Sequence, residues 1–354
     1  MCGIIGYIGQ REALPILISG LKRMEYRGYD SFGFCVYNKN NDPFVFKKVG
    51  KISDADKELQ TINAPGKIGQ AHTRWATHGG VTEDNAHPHL DCKGVISVVH
   101  NGIVENYKEL KAQLEAEGHK FLSQTDTEVL AHLIEKYFNG NLEQAVKKAV
   151  GCVRGTYGII VISKNDPDKI VAARSGSPLL LGVGDNEFLV ASDPAAVVAN
   201  TKKILYLDEG EIAVITPDNY FIFTDRQPQE LEWDLKDVEI GSYPHFMLKE
   251  IMEQPESLRN SLRGRLIIND GRVKLGGLSS VEEKLKDIEK LYITACGTAR
   301  HAGLVGEYMI EEYAGILTKV DAASEFRYRK SMIDKKCALL AISQSGETLD
   351  TMEA

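Results

Sequence analysis

Met1-Cys2-Gly3-Ile4-Ile5-Gly6-Tyr7-Ile8 begins the 354-residue chain and sets a thiol immediately ahead of an apolar run. Ile4–Ile8 reads as a strand that anchors the terminus in a sheet. Loss of Met1, which the small Cys2 side chain permits, would leave amine and thiol on one residue. An α-amine titrates at about 7.7–8.0 and a free thiol at about 8.5. Cys2 would then carry nucleophile and general base together, and Gly3 leaves room beside the thiol. The plainer reading is a small buried cysteine at a strand start. The choice depends on the segments that follow.

Outward from this strand, Gly33–Tyr37 and Phe44–Val49 read as further strands. Helices are expected over Tyr107–Glu117, Thr127–Phe138 and Leu142–Val153, the second opened by the polar Thr125-Asp126-Thr127-Glu128. Strands return at Val95–Val99, Tyr157–Ser163, Lys169–Ala173, Leu179–Val183, Phe188–Ala191, Glu211–Ile215 and Tyr220–Thr224. Many strands with few helices predict an α+β domain over residues 1–240, two stacked sheets covered by helices. Residues 241–290 read as a connector with helical pieces at Phe246–Gln254 and Val281–Ile288. From Leu291 the pattern becomes βαβα. Strands Leu291–Ala295, Ile316–Asp321 and Cys337–Ile342 alternate with helices to about Tyr313 and over Ser324–Lys330. Residues 291–354 therefore read as the start of an α/β doubly wound domain.

Four segments carry candidate chemistry. In Ala71-His72-Thr73-Arg74-Trp75-Ala76-Thr77-His78-Gly79, Arg74 can grip a carboxylate with two parallel bonds, or pair with a core Asp. Trp75 can wall a pocket or fill the core, and Thr77 and His78 offer hydrogen-bonding groups. His100-Asn101-Gly102 offers a side-chain amide beside a backbone N–H, an oxyanion hole or an ordinary Asn-Gly turn. Asp126 can bind an ammonium or cap a helix. The loops Cys296-Gly297-Thr298 and Ser343-Gln344-Ser345-Gly346-Glu347-Thr348 follow strands 1 and 3 of the second domain. A sheet order beginning 2-1-3 would set them at the switch point, where helix N-termini suit a phosphate. The alternative there is a pair of Ser/Thr-capped turns.

Five of the nine histidines lie between 72 and 100, yet no HExxH and no cysteine pair supports zinc. Hydrogen-bonded structural or pocket histidines are expected, with neither metal nor cofactor. Lys and Arg total 42 against 50 Asp and Glu, a formal charge of −8, which speaks against a broad nucleic-acid footprint. No run approaches the ~18–20 apolar residues that span a membrane, and the first residues lack a signal-peptide pattern. Six widely spaced cysteines, without a CxxC, fit reduced thiols and a cytoplasmic enzyme.

Taken together, the segments resemble the class II, N-terminal-nucleophile glutamine amidotransferases. Those that match are Cys2-Gly3-Ile4, Tyr26-Arg27-Gly28-Tyr29-Asp30-Ser31, His72-Thr73-Arg74-Trp75-Ala76-Thr77-His78-Gly79, Asn85-Ala86-His87-Pro88, His100-Asn101-Gly102 and Thr125-Asp126-Thr127-Glu128. More narrowly, Tyr243-Pro244-His245-Phe246-Met247-Leu248-Lys249-Glu250-Ile251 and Ala323-Ser324-Glu325-Phe326-Arg327-Tyr328-Arg329-Lys330 resemble the glutamine–fructose-6-phosphate aminotransferases. That resemblance implies a four-layer N-terminal-nucleophile fold and a sugar isomerase domain. It implies that Cys2 attacks the glutamine carboxamide and passes through a γ-glutamyl thioester, assisted by its own α-amine. Asn101 and the Gly102 N–H would hold the oxyanion. Arg74 would take the α-carboxylate and Asp126 the α-ammonium, with Thr77 and His78 lining the pocket and Arg27 and Trp75 at its wall. Thr298, Ser343, Gln344, Ser345 and Thr348 would contact fructose 6-phosphate, and the product would be glucosamine 6-phosphate.

Two departures qualify it. The family has Ser after Cys-Gly-Thr, where this chain has Ala299 followed by Arg300. Family members also continue into a second isomerase subdomain, so the isomerase half is expected to be incomplete, with weak or absent fructose 6-phosphate binding. Neither nucleic acid nor membrane is expected as a partner, and full-length members are implied to be homo-oligomers. Amidophosphoribosyltransferase is the enzyme alternative, disfavoured by the Ser343–Thr348 loop. A non-catalytic sugar-phosphate sensor, favoured by a retained Met1, is the alternative from another class.

Overall fold

The computed structural model describes residues 2–38, 40–222, 224, 226–231, 241–262, 265–267, 271–273, 275, 278, 281–344, 346 and 348–354. The chain divides into two compact units, Met1–Glu239 and Ile240–Ala354.

In the first unit, β1 (Gly3–Gly9), β2 (Ser31–Tyr37), β3 (Pro43–Val49) and β4 (Ile68–Arg74) enter one sheet. The other sheet takes β5 (His89–Leu90), β6 (Ile96–Val104), β7 (Gly155–Ser163) and β8 (Asp166–Ser175). β9 (Leu180–Gly184), β10 (Glu187–Ala191) and β11 (Lys203–Tyr206) return to the first sheet, β12 (Ile212–Ile215) and β13 (Tyr220–Phe221) to the second, and β14 (Gln229–Glu230) to the first. The resulting orders are β14-β11-β9-β10-β1-β4-β2-β3 and β13-β12-β8-β7-β6-β5. All the named strand pairings in both sheets are antiparallel.

Three apolar cores explain the layers. Ile4 and Ile8 of β1 join Ile160 and Ile162 of β7 between the sheets. Ile5 and Tyr7, one step out of phase, pack with Leu14, Leu17 and Leu21 of helix α1 (Ala13–Arg23) on the outer face. On the opposite outer face, Val98, Ile159 and Val161 pack under Leu130, Ile134, Leu142 and Val146. These last residues belong to helices α4 (Glu128–Tyr137) and α5 (Leu142–Val150), which follow α2 (Asp56–Leu59) and α3 (Tyr107–Ala116). Strands buried on both faces read as continuous apolar runs such as Ile159-Ile160-Val161-Ile162. The outcome is helix, sheet, sheet, helix, the expected layered architecture.

The sequence reading does not include α1. Pro15 and Gly20 interrupt its apolar spacing, but Pro15 lies in the first turn, where no intrahelical N–H is required. Of the strand expected at Tyr220–Thr224, Tyr220–Phe221 is formed, Phe223 lying outside the described residues, and the helix expected to Val153 ends at Val150, with Gly151 after it.

In the second unit, a helix covers Phe246–Leu262 with Pro255 inside it, and β15 (Leu266–Ile267) pairs with β16 (Arg272–Val273). Strands β17 (Lys290–Ala295), β18 (Leu317–Ala322) and β19 (Cys337–Ile342) form a parallel sheet in the order β18-β17-β19, the 2-1-3 arrangement anticipated above. Helices Gly297–Ala314, Ala323–Phe326 and Leu349–Glu353 follow the three strands in turn. The helix expected over Ser324–Lys330 is thus a single turn. Among the described residues no helix is long and apolar enough to cross a membrane.

Candidate active site

β1 is flanked by β10 and β4, and its register pairs Gly3 with Thr73. Cys2 therefore stands at the end of the sheet, next to the exit of β4 at Arg74 and Trp75. The Gly3 N–H donates to Thr73 Oγ1 at 3.2 Å and the Ile4 N–H to Ser192 Oγ at 3.0 Å, which fixes the backbone behind the thiol. The Trp75 N–H donates to Cys2 Sγ at 3.1 Å, and Sγ lies 3.5 Å from the Trp75 carbonyl oxygen. Burial pushes the Cys2 thiol pKa up, while the Trp75 N–H and the Arg74 charge pull it back; the net shift is upward. The thiol therefore needs a base to become a nucleophile.

Asn101 comes from the second sheet. Its Nδ2 donates to the Cys2 carbonyl oxygen at 2.9 Å, and its Oδ1 lies 3.1 Å from His72 Nε2. His72 Nε2 is also 3.1 Å from the His100 carbonyl oxygen. Both neighbours accept, so Nε2 carries the hydrogen, and burial lowers the His72 pKa to about 3. A neutral His72 thus orients the amide. Asn101 and Gly102 lie inside β6, opposite Gly158 and Tyr157 of β7, so the Asn-Gly turn alternative does not hold. Gly102 has φ +133°, and a Cβ there would meet the Thr156 carbonyl oxygen at 2.1 Å, so this position requires glycine.

Arg74 is buried and donates to the carbonyl oxygens of Gly80, at 3.0 Å, and His78. Among the described residues it has no carboxylate within ion-pair distance, so the core-Asp alternative does not hold, and burial lowers its pKa. The loop it grips is latched at two further points, and one of those latches, Asn85, is itself held. The Ala76 N–H donates to Asp30 Oδ2 at 2.6 Å, Asn85 Nδ2 donates to the Gly80 carbonyl at 2.9 Å, and the Gln124 N–H donates to Asn85 Oδ1 at 2.8 Å. Asp30, Asn85 and Gln124 were assigned no role from the sequence. Asp30 and Asn85 lie in matched segments, but their loop-closing role depends on tertiary placement.

Asp126 is buried and does not cap α4: its Oδ2 accepts from the Val104 N–H at 2.8 Å, and Oδ1 lies 3.9 Å from His78 Nδ1. Trp75 is 47% exposed and meets Tyr29 edge-on at 5.3 Å between ring centroids. Thr77 Oγ1 lies 3.4 Å from His78 Nδ1. Arg27 is engaged elsewhere, ion-paired with Asp193, to which Tyr26 also donates at 2.8 Å. The structure thus ties Cys2, Asn101, Arg74, Trp75 and the 76–80 loop together, with Asp126 beside His78.

In the second unit, Ser343 and Thr348 follow β19, their hydroxyl oxygens 3.3 Å apart, and the Gly346 N–H donates to Ser343 Oγ at 3.0 Å. Thr351 Oγ1 lies 3.9 Å from Cys296 Sγ, linking this loop to the end of β17. Gln344 is exposed, Thr298 lies in the first turn of Gly297–Ala314, and Ser345 lies outside the described residues. Arg300 Nε is buried without a hydrogen-bond partner.

Residues 72–199 match a glutamine amidotransferase domain, and residues 284–354 match the SIS domain. The glutamine–fructose-6-phosphate aminotransferase (isomerizing) of Chlorobaculum tepidum is 50% identical over 367 residues, covering 100% of this chain. Its counterparts from Symbiobacterium thermophilum and Aquifex aeolicus are 48% identical over 362 residues and 47% over 357. Over its whole length the chain is thus similar to glutamine–fructose-6-phosphate aminotransferases. It spans 59% of the length of each of these three relatives. The fold is shared more widely. The Bacillus subtilis glutamine phosphoribosylpyrophosphate amidotransferase, complexed with ADP and GMP, superposes with a TM-score of 0.56 at 21% identity, over 90% of this chain and 65% of that one.

Proposed function

We propose that residues 1–240 release ammonia from glutamine through a Cys2 thioester. In the family's reaction the ammonia goes to fructose 6-phosphate, giving glucosamine 6-phosphate and glutamate. The observation that carries this reading is the Asn101 amide held 2.9 Å from the Cys2 carbonyl, beside a thiol bound by the Trp75 N–H.

The α-amine of Cys2, once Met1 is removed, takes the thiol proton and Sγ attacks the carboxamide carbon. The second Nδ2 hydrogen of Asn101 and the Gly102 N–H stabilise the oxyanion. The amine then hands its proton to the leaving ammonia, and water cleaves the γ-glutamyl thioester. Glutamine is a zwitterion, and the site answers both ends, Arg74 for the carboxylate and Asp126 for the ammonium. Thr77, His78 and Trp75 line the pocket in this reading. Arg27 supports its wall through Asp193.

Residues 241–290 act as connector. Residues 291–354 begin the sugar isomerase domain, where Thr298, Ser343, Gln344, Ser345 and Thr348 take the sugar phosphate. The 2-1-3 sheet supports that assignment. A cytoplasmic location belongs to the same reading, supported by the six free cysteines.

The test is incubation with a diazoketone analogue of glutamine, followed by peptide mass mapping. One adduct on Cys2, blocked by excess glutamine, is expected. Labelling of other cysteines with Cys2 untouched would overturn the assignment.

A further inference from the structure

Away from the candidate active site, Cys92, His119, His132 and Glu135 bring one ligand atom each to within 4.8 Å of one another. Cys92 Sγ lies 3.6 Å from His119 Nδ1 and 3.5 Å from His132 Nδ1. Glu135 Oε2 lies 3.0 Å from His119 Nδ1 and 3.5 Å from His132 Nδ1. Zinc–sulfur bonds of about 2.3 Å and zinc–nitrogen bonds of about 2.0–2.1 Å, set tetrahedrally, require S···N edges of about 3.5 Å and N···O edges of about 3.3 Å. We propose that these four side chains form a site for one divalent, borderline-soft transition-metal ion, of which Zn²⁺ is the type.

The surroundings of His132 fit a cation at the centre. His132 is buried, and its Nε2 faces Glu128 Oε1 at 3.6 Å. The Glu128 carboxylate also accepts from the Leu122 N–H at 2.7 Å, the Ser123 N–H at 2.7 Å and Ser123 Oγ at 2.6 Å. With Nε2 turned toward Glu128, the Nδ1 of His132 faces Cys92 Sγ and Glu135 Oε2. Nitrogen, sulfur and oxygen ligand atoms thus converge on one point. A carboxylate behind a ligating imidazole is the usual way a metal-bound histidine is oriented.

The donor set also fits in charge and softness. A Cys92 thiolate and a Glu135 carboxylate neutralise a 2+ ion, and thiolate with imidazole selects zinc over magnesium or calcium. The Lys120 N–H, 3.4 Å from Cys92 Sγ, would stabilise the thiolate. Cys92 is exposed, which gives an ion a way in. The ligands come from three pieces of chain: the β5–β6 turn, the segment after α3, and α4 at spacing i, i+3. No sequence spacing announces such a site. An ion there would fasten all three pieces together, and Glu128 would link it to the 122–126 segment.

The experiment strips the full chain with chelator, then titrates it with Zn²⁺ by calorimetry and with Co²⁺ by absorption. One zinc per chain is expected, with a thiolate-to-cobalt charge-transfer band. Cys92→Ala should abolish that band, and both Cys92→Ala and His119→Gln should weaken zinc binding by on the order of a hundredfold or more. Circular dichroism confirms that each variant is folded. Absence of saturable zinc binding by the wild-type chain would overturn the proposal and identify the cluster as a hydrogen-bonded side-chain network. Unchanged zinc affinity in folded Cys92→Ala would overturn it equally.

Discussion

Asn101 of the second sheet donates from Nδ2 to the carbonyl oxygen of Cys2, at the end of the first sheet, over 2.9 Å. This bond crosses between the two sheets and brings an amide donor onto the residue that carries the proposed nucleophile. The orientation of that amide is imposed from behind by His72.

Asn101→Ala removes the oxyanion donor, so kcat for glutamine hydrolysis should fall by on the order of a hundredfold or more, with KM little changed. Steady-state glutamate release measures both. A change in KM alone would contradict the role given to Asn101.

His72→Leu leaves the buried Asn101 Oδ1 without its donor. Stability should fall by about 1–3 kcal/mol in urea unfolding, and kcat should fall as the amide loses its fixed orientation. A variant with normal kcat would show that His72 does not position Asn101.

Arg74→Ala and Asp126→Asn each remove a charge proposed to hold glutamine. Charge-assisted contacts contribute about 1.5–3 kcal/mol, so KM should rise roughly ten- to a hundredfold or more. Asp126→Asn retains an acceptor for the Val104 N–H, so its thermal unfolding should be nearly unchanged. A lower melting point with KM unaltered would give Asp126 a structural role only.

Acid should unfold the first unit through its buried histidines. Burial lowers the pKa of His72 to about 3 and lowers those of His87, His89 and His100. In the unfolded chain each binds a proton near pH 6.5, whereas the folded chain does not. The stabilising contribution is complete above about pH 6.5 and is lost as pH falls from there toward the folded values, at up to about 1.4 kcal/mol per pH unit per histidine. Urea unfolding at stepped pH measures the slope, and His72→Gln should reduce it by about one proton.

The apolar runs made most strands legible, because Ile159-Ile160-Val161-Ile162 is buried on both faces. β4 was less so. Its Gln70, His72 and Arg74 are polar, and they are buried because partners elsewhere in the fold satisfy them, such as Ser97, 2.8 Å from Gln70 Nε2. For Asp126 the sequence left ammonium binding and helix capping open; the structure shows no cap, and Oδ2 instead accepts from the Val104 N–H. Asn101-Gly102 has turn composition but lies within a strand, since β7 supplies the pairing that a local rule cannot see. The cluster of Cys92, His119, His132 and Glu135 follows no motif, because the β5–β6 turn and the segment after α3 bring Cys92 and His119 against α4 only in the fold.

The central claim is that Cys2 acts with its own α-amine as base. The most direct measurement compares glutamine hydrolysis by the chain beginning at Cys2 with that by a chain retaining one residue before it, both shown to be folded by circular dichroism. The account predicts turnover in the first and a loss of turnover to background in the second. Equal rates would contradict it, since the retained residue converts the amine into an amide that cannot accept the thiol proton.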